Sequence, residues 1–306
     1  MKAIFAATVL LGLTVAVVEM LLRLLGLGNP PLYLADEAMG YRLAPNQVLR
    51  RFGNRMVINQ YSMRSGPVAL PRPQQTWRIL LIGDSIVNGN WWTPQDRTLS
   101  ALVANQLASQ ATPIEVLNAS ANSWGPRNQL AYLQRFGTFD AQQVLLVLNT
   151  DDLFGARPTS LQVGRDRSYP NRRPGLALLE VAQRLRKPVP IPGLNVVHQE
   201  GGDRVGQNLA AVEQMHQLVQ ASNGRLLLAM TPLKREVLNG PRDYEMTARR
   251  RLQELARARQ LPYLDFLKDF QAYGETDALY RDHIHLSPAG SQRVARQLAQ
   301  LAQKFP

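Results

Sequence analysis

Between Arg78 and Asn90 the chain reads RILLIGDSIVNGN, in which four consecutive apolar residues run into Gly83, Asp84 and Ser85. A serine pushed out on a turn at a strand's end can cap a helix, contact a phosphate or act as a nucleophile. The phosphate-loop spacing G-x-x-x-x-G-K-[ST] is absent, and so is the dinucleotide spacing G-x-G-x-x-G. A nucleophilic serine needs a base for its proton and a carboxylate to fix that base's tautomer. The chain has four histidines, His198, His216, His283 and His285, so an imidazole base must be one of these. Near the other end, YRDHIHLSPAG sets Asp282 three residues before His285 in a polar loop. One rigid turn of this form supplies base and orienting acid together, which makes Ser85, His285 and Asp282 the candidate reacting set. His283 faces differently along the turn and is expected to be structural. A metal site at Asp282, His283 and His285 is the lesser alternative, because no second ligand cluster stands out. A lone Gly-Asp-Ser is more often a cap or turn than a catalyst; its pairing with the distant Asp-x-x-His carries the argument.

The elements that must bring these residues together alternate in period. WRILLIG, IEVLNA, QVLLVLN, RLLLAM and LPYLDF are short apolar runs bounded by turn signals and read as buried strands. Between them lie helical patterns: Thr98 to Gln110, RNQLAYLQRFG, NLAAVEQMHQLVQASNG and the strongly basic YEMTARRRLQELARARQ. A last helix, SPAGSQRVARQLAQLAQ, carries Pro288 at its first turn. Strands alternating with helices predict an α/β fold with a parallel five-stranded sheet covered on both faces. Ligands in such sheets bind beyond the strands' carboxyl ends, where Gly83-Asp84-Ser85, Asn118 and Asn149 all fall.

With 45% hydrophobic and 19% charged residues, the 306-residue chain is long and apolar enough for a sizeable core. The net charge of +12 favours anionic partners such as acidic lipid or polysaccharide. No nucleic-acid motif appears and the arginines are scattered, so nucleic acid is not expected. The absence of cysteine excludes thiolate chemistry, disulfides and cysteine-bound zinc. Residues 1–28 open with an uncharged apolar run, Ala3 to Val18, read as a retained membrane anchor, with a removed signal sequence as the alternative. Glu19 and Arg23, four apart, can pair near the interface. The single Lys2 before the run predicts a body outside the cytoplasmic membrane, on the periplasmic or cell-surface side. Residues 29–76, rich in Pro, Arg, Asn and Gln, read as a neck with short strands, and residues 77–306 as the catalytic body. Within that body the segment 153–202 holds six prolines and one amphipathic helical pattern, LALLEVAQRLR. An insertion of that length is uncommon unless it works as a lid or binding loop, or is disordered.

ILLIGDS after the first strand, LNAS after the second and DHIHLSPAG before the final helix together resemble the SGNH hydrolase superfamily, the GDSL esterases. The resemblance covers about residues 78–304. Upstream, YRLAPN and VINQYSMR resemble membrane-anchored bacterial members associated with decoration of cell-surface glycans. The resemblance implies a three-layer α/β/α sandwich with a flavodoxin-like parallel sheet, Ser85 as nucleophile, His285 as base and Asp282 as its orienter. No cofactor is implied.

It also implies an oxyanion hole from the serine's N–H, a second-block glycine N–H and a third-block asparagine. The second-block glycine falls at Ser123, with Gly125 as a nearby substitute. The expected asparagine is Asp151 in Asn149-Thr150-Asp151-Asp152, and an ionised aspartate repels an oxyanion rather than donating to it. Either Asp151 is protonated by burial, or Asn149 or Asn122 takes its place, or hydrolysis is slow. Trp124, beside the second oxyanion turn, is expected to line the pocket. Trp91 and Trp92 are read as one core side chain and one covering a sheet edge, with sugar stacking as the alternative. The reaction these residues imply is serine-dependent hydrolysis of acetyl or short acyl esters on a small molecule or glycan. O-acetyl transfer to a polysaccharide and glycan binding with little catalysis are the alternatives.

Overall fold

The computed structural model describes residues 1–108 and 112–305. Helix α1 (Lys2–Leu24) leads into two antiparallel hairpins, β1 (Tyr33–Asp36) with β2 (Gly40–Leu43), and β3 (Gln47–Arg51) with β4 (Asn54–Ile58). Strand β5 (Trp77–Gly83) follows, then α2 (Ser85–Asn88), α3 (Leu99–Leu107), β6 (Ile114–Ser120), α4 (Pro126–Phe136) and β7 (Gln143–Asn149). The insertion carries α5 (Ala177–Leu185) and α6 (Leu194–His198) and ends at α7 (Arg204–Ala221). The chain closes with β8 (Arg225–Thr231), α8 (Lys234–Asn239), α9 (Asp243–Ala258), β9 (Tyr263–Asp265), α10 (Leu267–Ala272), α11 (Thr276–Leu279) and α12 (Pro288–Lys304). The helical pattern read to Gln110 ends at Leu107, and residues 109–111 lie outside the described chain.

The five long-range strands form one parallel sheet in the order β6-β5-β7-β8-β9. Numbered among themselves this is 2-1-3-4-5, the flavodoxin-like order, in which the crevice opens between the first and third strands. Alternation along each strand divides the core between the faces. Leu80, Ile82, Leu146 and Leu228 pack with Leu130, Val212 and Leu252 on one side. Ile79, Leu81, Leu145 and Leu227 pack with Leu99, Val103, Val294 and Leu298 on the other. The result is the predicted three-layer α/β/α sandwich, with Ser85 leaving β5 at the switch point beside β7.

Residues 29–76, read as a neck, are instead built into the body. Tyr33, Met39, Tyr41, Leu43, Ile58 and Met63 are buried in the same cluster as Leu80 and Leu146. Their apolar side chains are too many to leave in water, and the hairpins cover the edge above α4. The Tyr41 hydroxyl donates to the Asn122 carbonyl at 2.7 Å, tying the first hairpin to the turn after β6. Helix α1 leaves the body except at its last turns, where Glu19 and Arg23 bond the 175–178 backbone; no residue of it is buried, and its mean hydropathy is 2.3 over an 18-residue window. It is long and apolar enough to cross a bilayer or to serve as a signal segment.

Candidate active site

The turn after β5 is dictated by crowding. A Cβ on Gly83 would meet Val87 Cγ2 at 2.4 Å and the Val147 carbonyl oxygen at 2.8 Å, so only glycine fits. Asp84 then caps α2, its carboxylate accepting the Ile86 N–H at 2.8 Å. Ser85 is the first helical residue, and its Oγ points back toward the loop before α12. Behind α2, Asn118 Nδ2 donates to the Val87 carbonyl at 2.8 Å, and Asn88 Nδ2 donates to the Ser120 carbonyl at 3.3 Å. The second-block Asn-Ala-Ser therefore holds the nucleophile turn from beneath.

The loop carrying the histidine is fixed in the same way. A Cβ on Gly290 would lie 2.1 Å from the Leu279 carbonyl oxygen, so α12 starts only where glycine lets it sit against α11. Ser287 caps α12 by accepting the Gly290 N–H at 3.1 Å. Within the turn, Asp282 Oδ1 accepts the N–H groups of Ile284 and His285 at 3.0 and 2.8 Å. Its Oδ2 accepts His285 Nδ1–H at 2.8 Å, and His285 Nε2 accepts from Ser85 Oγ at 3.0 Å. With Nδ1 donating, Nε2 is left as the acceptor a general base requires. Burial works to raise the Asp282 carboxyl, but the two N–H donors and the imidazole overcome it and hold it at about 2. His283 is 82% exposed on its side chain and turns away from the serine's partner.

The structure thus brings Ser85, His285 and Asp282 together across two hundred residues of chain. It treats the expected oxyanion residues unevenly. Ser123 sits at φ 59, the left-handed region a glycine would occupy freely, and its hydroxyl accepts from the Tyr169 hydroxyl at 3.0 Å. The Ser123 N–H donates to no group among the described residues. The Gly125 N–H donates to Asn128 Oδ1 at 3.0 Å as part of the α4 cap and is not free for an oxyanion. Trp124 is fully buried, its indole N–H donating to the Tyr41 carbonyl at 2.9 Å and its ring against Tyr132. It is a core side chain and does not line the pocket; an indole flanked by apolar helix residues is better buried than exposed.

Asn149 is held at both ends of its amide, with one Nδ2 hydrogen left without a partner among the described residues. Its Oδ1 accepts the N–H groups of Asp151 and Asp152 at 2.8 and 3.3 Å, and its Nδ2 donates to Asp84 Oδ2 at 2.9 Å. Asn122 makes no side-chain hydrogen bond among the described residues. Asp151 keeps part of its surface in solvent and its carboxylate is unpaired; the part that is desolvated raises the carboxyl, and repulsion from Glu236 and Glu245 raises it further. The positive charge of Arg235 and of a protonated His283 acts in the opposite sense.

Several side chains around the site take roles that the sequence does not announce. Trp92 packs edge-on against His285 with ring centroids 5.2 Å apart, and Arg281 lies over its other side at 4.8 Å. Trp91 stacks on Phe52 of the second hairpin at 4.9 Å, so neither tryptophan is a core residue. Arg64, fully buried, donates to the carbonyls of Asn88, Asn90 and Thr93 and fixes the loop that carries both tryptophans. Asp84 Oδ2 lies 3.3 Å from Ser85 Oγ, and burial pushes this carboxyl up to about 6 despite the Ile86 N–H. Tyr169, from the insertion, packs against Tyr33 and Tyr41 and reaches the Ser123 turn. The one available signal was the run of arginine and aromatic residues in VINQYSMR and NWW, which has no periodicity to mark it.

The family model described as GDSL-like Lipase/Acylhydrolase matches residues 81–293, more than half of the chain. The chain belongs to that family. As a GDSL-like lipase/acylhydrolase it is a serine esterase or acyltransferase acting on ester bonds. The solved structure of Axe2, an acetylxylan esterase from Geobacillus stearothermophilus, is similar at 15% identity and a TM-score of 0.51, over 73% of this chain and 93% of that one. LAE5, an alpha/beta hydrolase enzyme from the metagenome of Lake Arreo, is similar at 12% identity and a TM-score of 0.50, over 75% of this chain and 96% of that one. At these identities the likeness is one of fold. No curated protein sequence matches the chain.

Proposed function

We infer that this GDSL-like protein hydrolyses acetyl or other short acyl esters of a cell-surface glycan by way of an acyl-enzyme. The supporting observation is the chain of hydrogen bonds from Ser85 through His285 to Asp282, at 3.0 and 2.8 Å. In this reading His285 Nε2 takes the Ser85 proton as Oγ attacks the ester carbonyl. Asp282 stabilises the imidazolium, which then returns the proton to the leaving alcohol oxygen. Water, deprotonated by the same nitrogen, releases the acid and regenerates the serine. The N–H groups of Ser85 and Ser123 face the developing oxyanion, and Asp151 stands in the third position. The acetyl group is suggested by the xylan-acetyl activity in Axe2's name, and the glycan by a chain bearing +12 charge behind an apolar helix. Helix α1, retained, holds the catalytic body on the outer side of the membrane.

Labelling with a fluorophosphonate, with acetate release from acetylated xylo-oligosaccharide measured in parallel, tests this. Labelling and release are expected in the wild type and lost in Ser85→Ala and His285→Ala. Labelling that survives Ser85→Ala overturns the nucleophile assignment. Acetate release that falls when a glycan acceptor is added, with acetylated acceptor appearing, assigns transfer in place of hydrolysis.

A further inference from the structure

The insertion divides in two. Its first part delivers Tyr169 to the Ser123 turn, while its second part packs on the end of α1. Glu19, in the last turns of α1, accepts the N–H groups of Ala177 and Leu178 at 2.8 and 3.0 Å. Arg23 donates to the Gly175 carbonyl at 2.7 Å. Below this joint the buried Arg51–Glu180 pair locks α5 to the second hairpin, and Glu180 also accepts the Gly28 N–H at 2.7 Å. The sixteen residues from Ala3 to Val18 carry no charge and span about 24 Å at helical rise, most of the roughly 30 Å of a hydrocarbon core, with the apolar side chains after Glu19 making up the rest. If α1 crosses a bilayer, the lipid boundary falls near Glu19, level with the start of α5.

What α5 and its flanks present at that level is unusual for a surface. Leu176 and Leu179 are about half exposed, and Leu185 and Val189 are 82% and 81% exposed. Beside Leu179 and Val189, which help to line it, opens a cleft of about 730 Å³. It is walled by Arg165, Arg172, Arg173, Arg186 and Lys187, none of which meets a carboxylate among the described residues. The acidic residues in its wall are committed elsewhere: Glu180 to Arg51 and Arg184, and Asp166 to the Ser168 N–H. Exposed aliphatic side chains interleaved with free cations are the composition of a surface that lies in the headgroup region of an anionic bilayer.

We propose that the 164–191 segment docks on the anionic lipid of the membrane that α1 spans, so that the catalytic body rests on the bilayer rather than hanging from it. The aliphatic side chains enter the acyl boundary, and the arginines and Lys187 meet lipid phosphates. Docking also fixes where the reaction occurs. The Phe52 N–H donates to the Leu25 carbonyl at 2.7 Å. From Phe52 the rings step through Trp91 and Trp92 to His285 at 4.9, 5.5 and 5.2 Å. The imidazole is therefore a few side chains from the membrane end of α1. The inference rests on α1 being a retained span, which intact mass of the membrane-extracted chain checks separately.

Because the chain has no cysteine, one introduced thiol is a unique probe. Full-length Leu185→Cys carries an environment-sensitive NBD label in nanodiscs of phosphatidylcholine alone or mixed with phosphatidylglycerol. Gln303→Cys, exposed at the opposite pole of the sheet, is the reference. The expected result is blue-shifted emission at Leu185→Cys and quenching by doxyl-labelled lipid several-fold above Gln303→Cys, in the phosphatidylglycerol discs. Changing Arg165, Arg172, Arg173 and Lys187 together to glutamine should abolish the difference while fluorophosphonate labelling of Ser85 persists. Quenching equal at the two positions overturns the proposal, as does quenching indifferent to phosphatidylglycerol and to the four substitutions. A spectral shift produced by soluble polygalacturonate but not by phosphatidylglycerol would assign the cleft to acidic glycan and equally overturn it.

Discussion

Asp151→Asn tests the electrostatics of the oxyanion site directly. The Asp151 carboxyl has no hydrogen-bond partner, so an amide orphans nothing, and the Asp151 N–H bond to Asn149 Oδ1 at 2.8 Å is untouched. When ionised, Asp151 adds negative charge where negative charge develops; when protonated, it can donate as the asparagine would. Burial and the repulsion of Glu236 and Glu245 raise its carboxyl, so the wild type retains the donating form to higher pH than an ordinary aspartate. The variant-to-wild-type ratio of kcat should therefore be near one at low pH. Above the Asp151 pKa it should climb about tenfold per pH unit, since the donating fraction falls by that factor. The climb ends where the ionised form's own residual rate takes over, at a ratio of roughly 10² to 10³, the usual worth of one such donor. Hydrolysis of p-nitrophenyl acetate by the detergent-solubilised full chain, from pH 5 to 9, gives the profile. KM should change little, because the interaction belongs to the transition state. A ratio at or below one throughout, or one that does not vary with pH, refutes the placement of Asp151 at the oxyanion.

Ser123→Gly should raise stability by about 1 kcal/mol in urea denaturation, because φ 59 costs a side-chain-bearing residue about that much. The lost hydrogen bond from Tyr169 offsets part of the gain. Arg249→Met should lower stability by about 3–5 kcal/mol, because it strands a fully buried Glu236 and frees Asp265, which Arg249 grips at 2.7 and 2.8 Å. Asp84 binds protons more tightly folded than unfolded, since burial lifts it to about 6. The folded state therefore carries the excess proton between about pH 4 and 6, and stability should fall as pH rises through that window. Comparing urea midpoints at pH 4 and 6 for wild type and Asp84→Asn checks the sign, and the variant should lose the decline.

The parts legible in the sequence were those whose cause is local. Buried strands such as QVLLVLN announce themselves by composition, and the Gly83-Asp84-Ser85 turn follows directly on one of them. The Asp-x-x-His turn carries its own wiring, since Asp282 bonds to residues two and three ahead of it. What escaped acts across long stretches of chain and through backbone atoms. Arg64 holds the tryptophan loop mainly by the backbone carbonyls of Asn88, Asn90 and Thr93, and a backbone carbonyl leaves no mark on residue type. The hairpins of residues 29–76 were read as a neck because their alternation is short and proline-rich at the end; their burial depends on α4 supplying the other half of the core. Trp124 was misassigned for the converse reason: sequence adjacency to Ser123 suggested the pocket, but the next residue along a left-handed turn points the other way. The buried indole, held by the Tyr41 carbonyl, anchors the residue that follows the left-handed Ser123. Both hairpins of the segment that reads as a neck bear on the candidate site, the first through Tyr41 at the turn after β6 and the second through Phe52 beside the tryptophan loop.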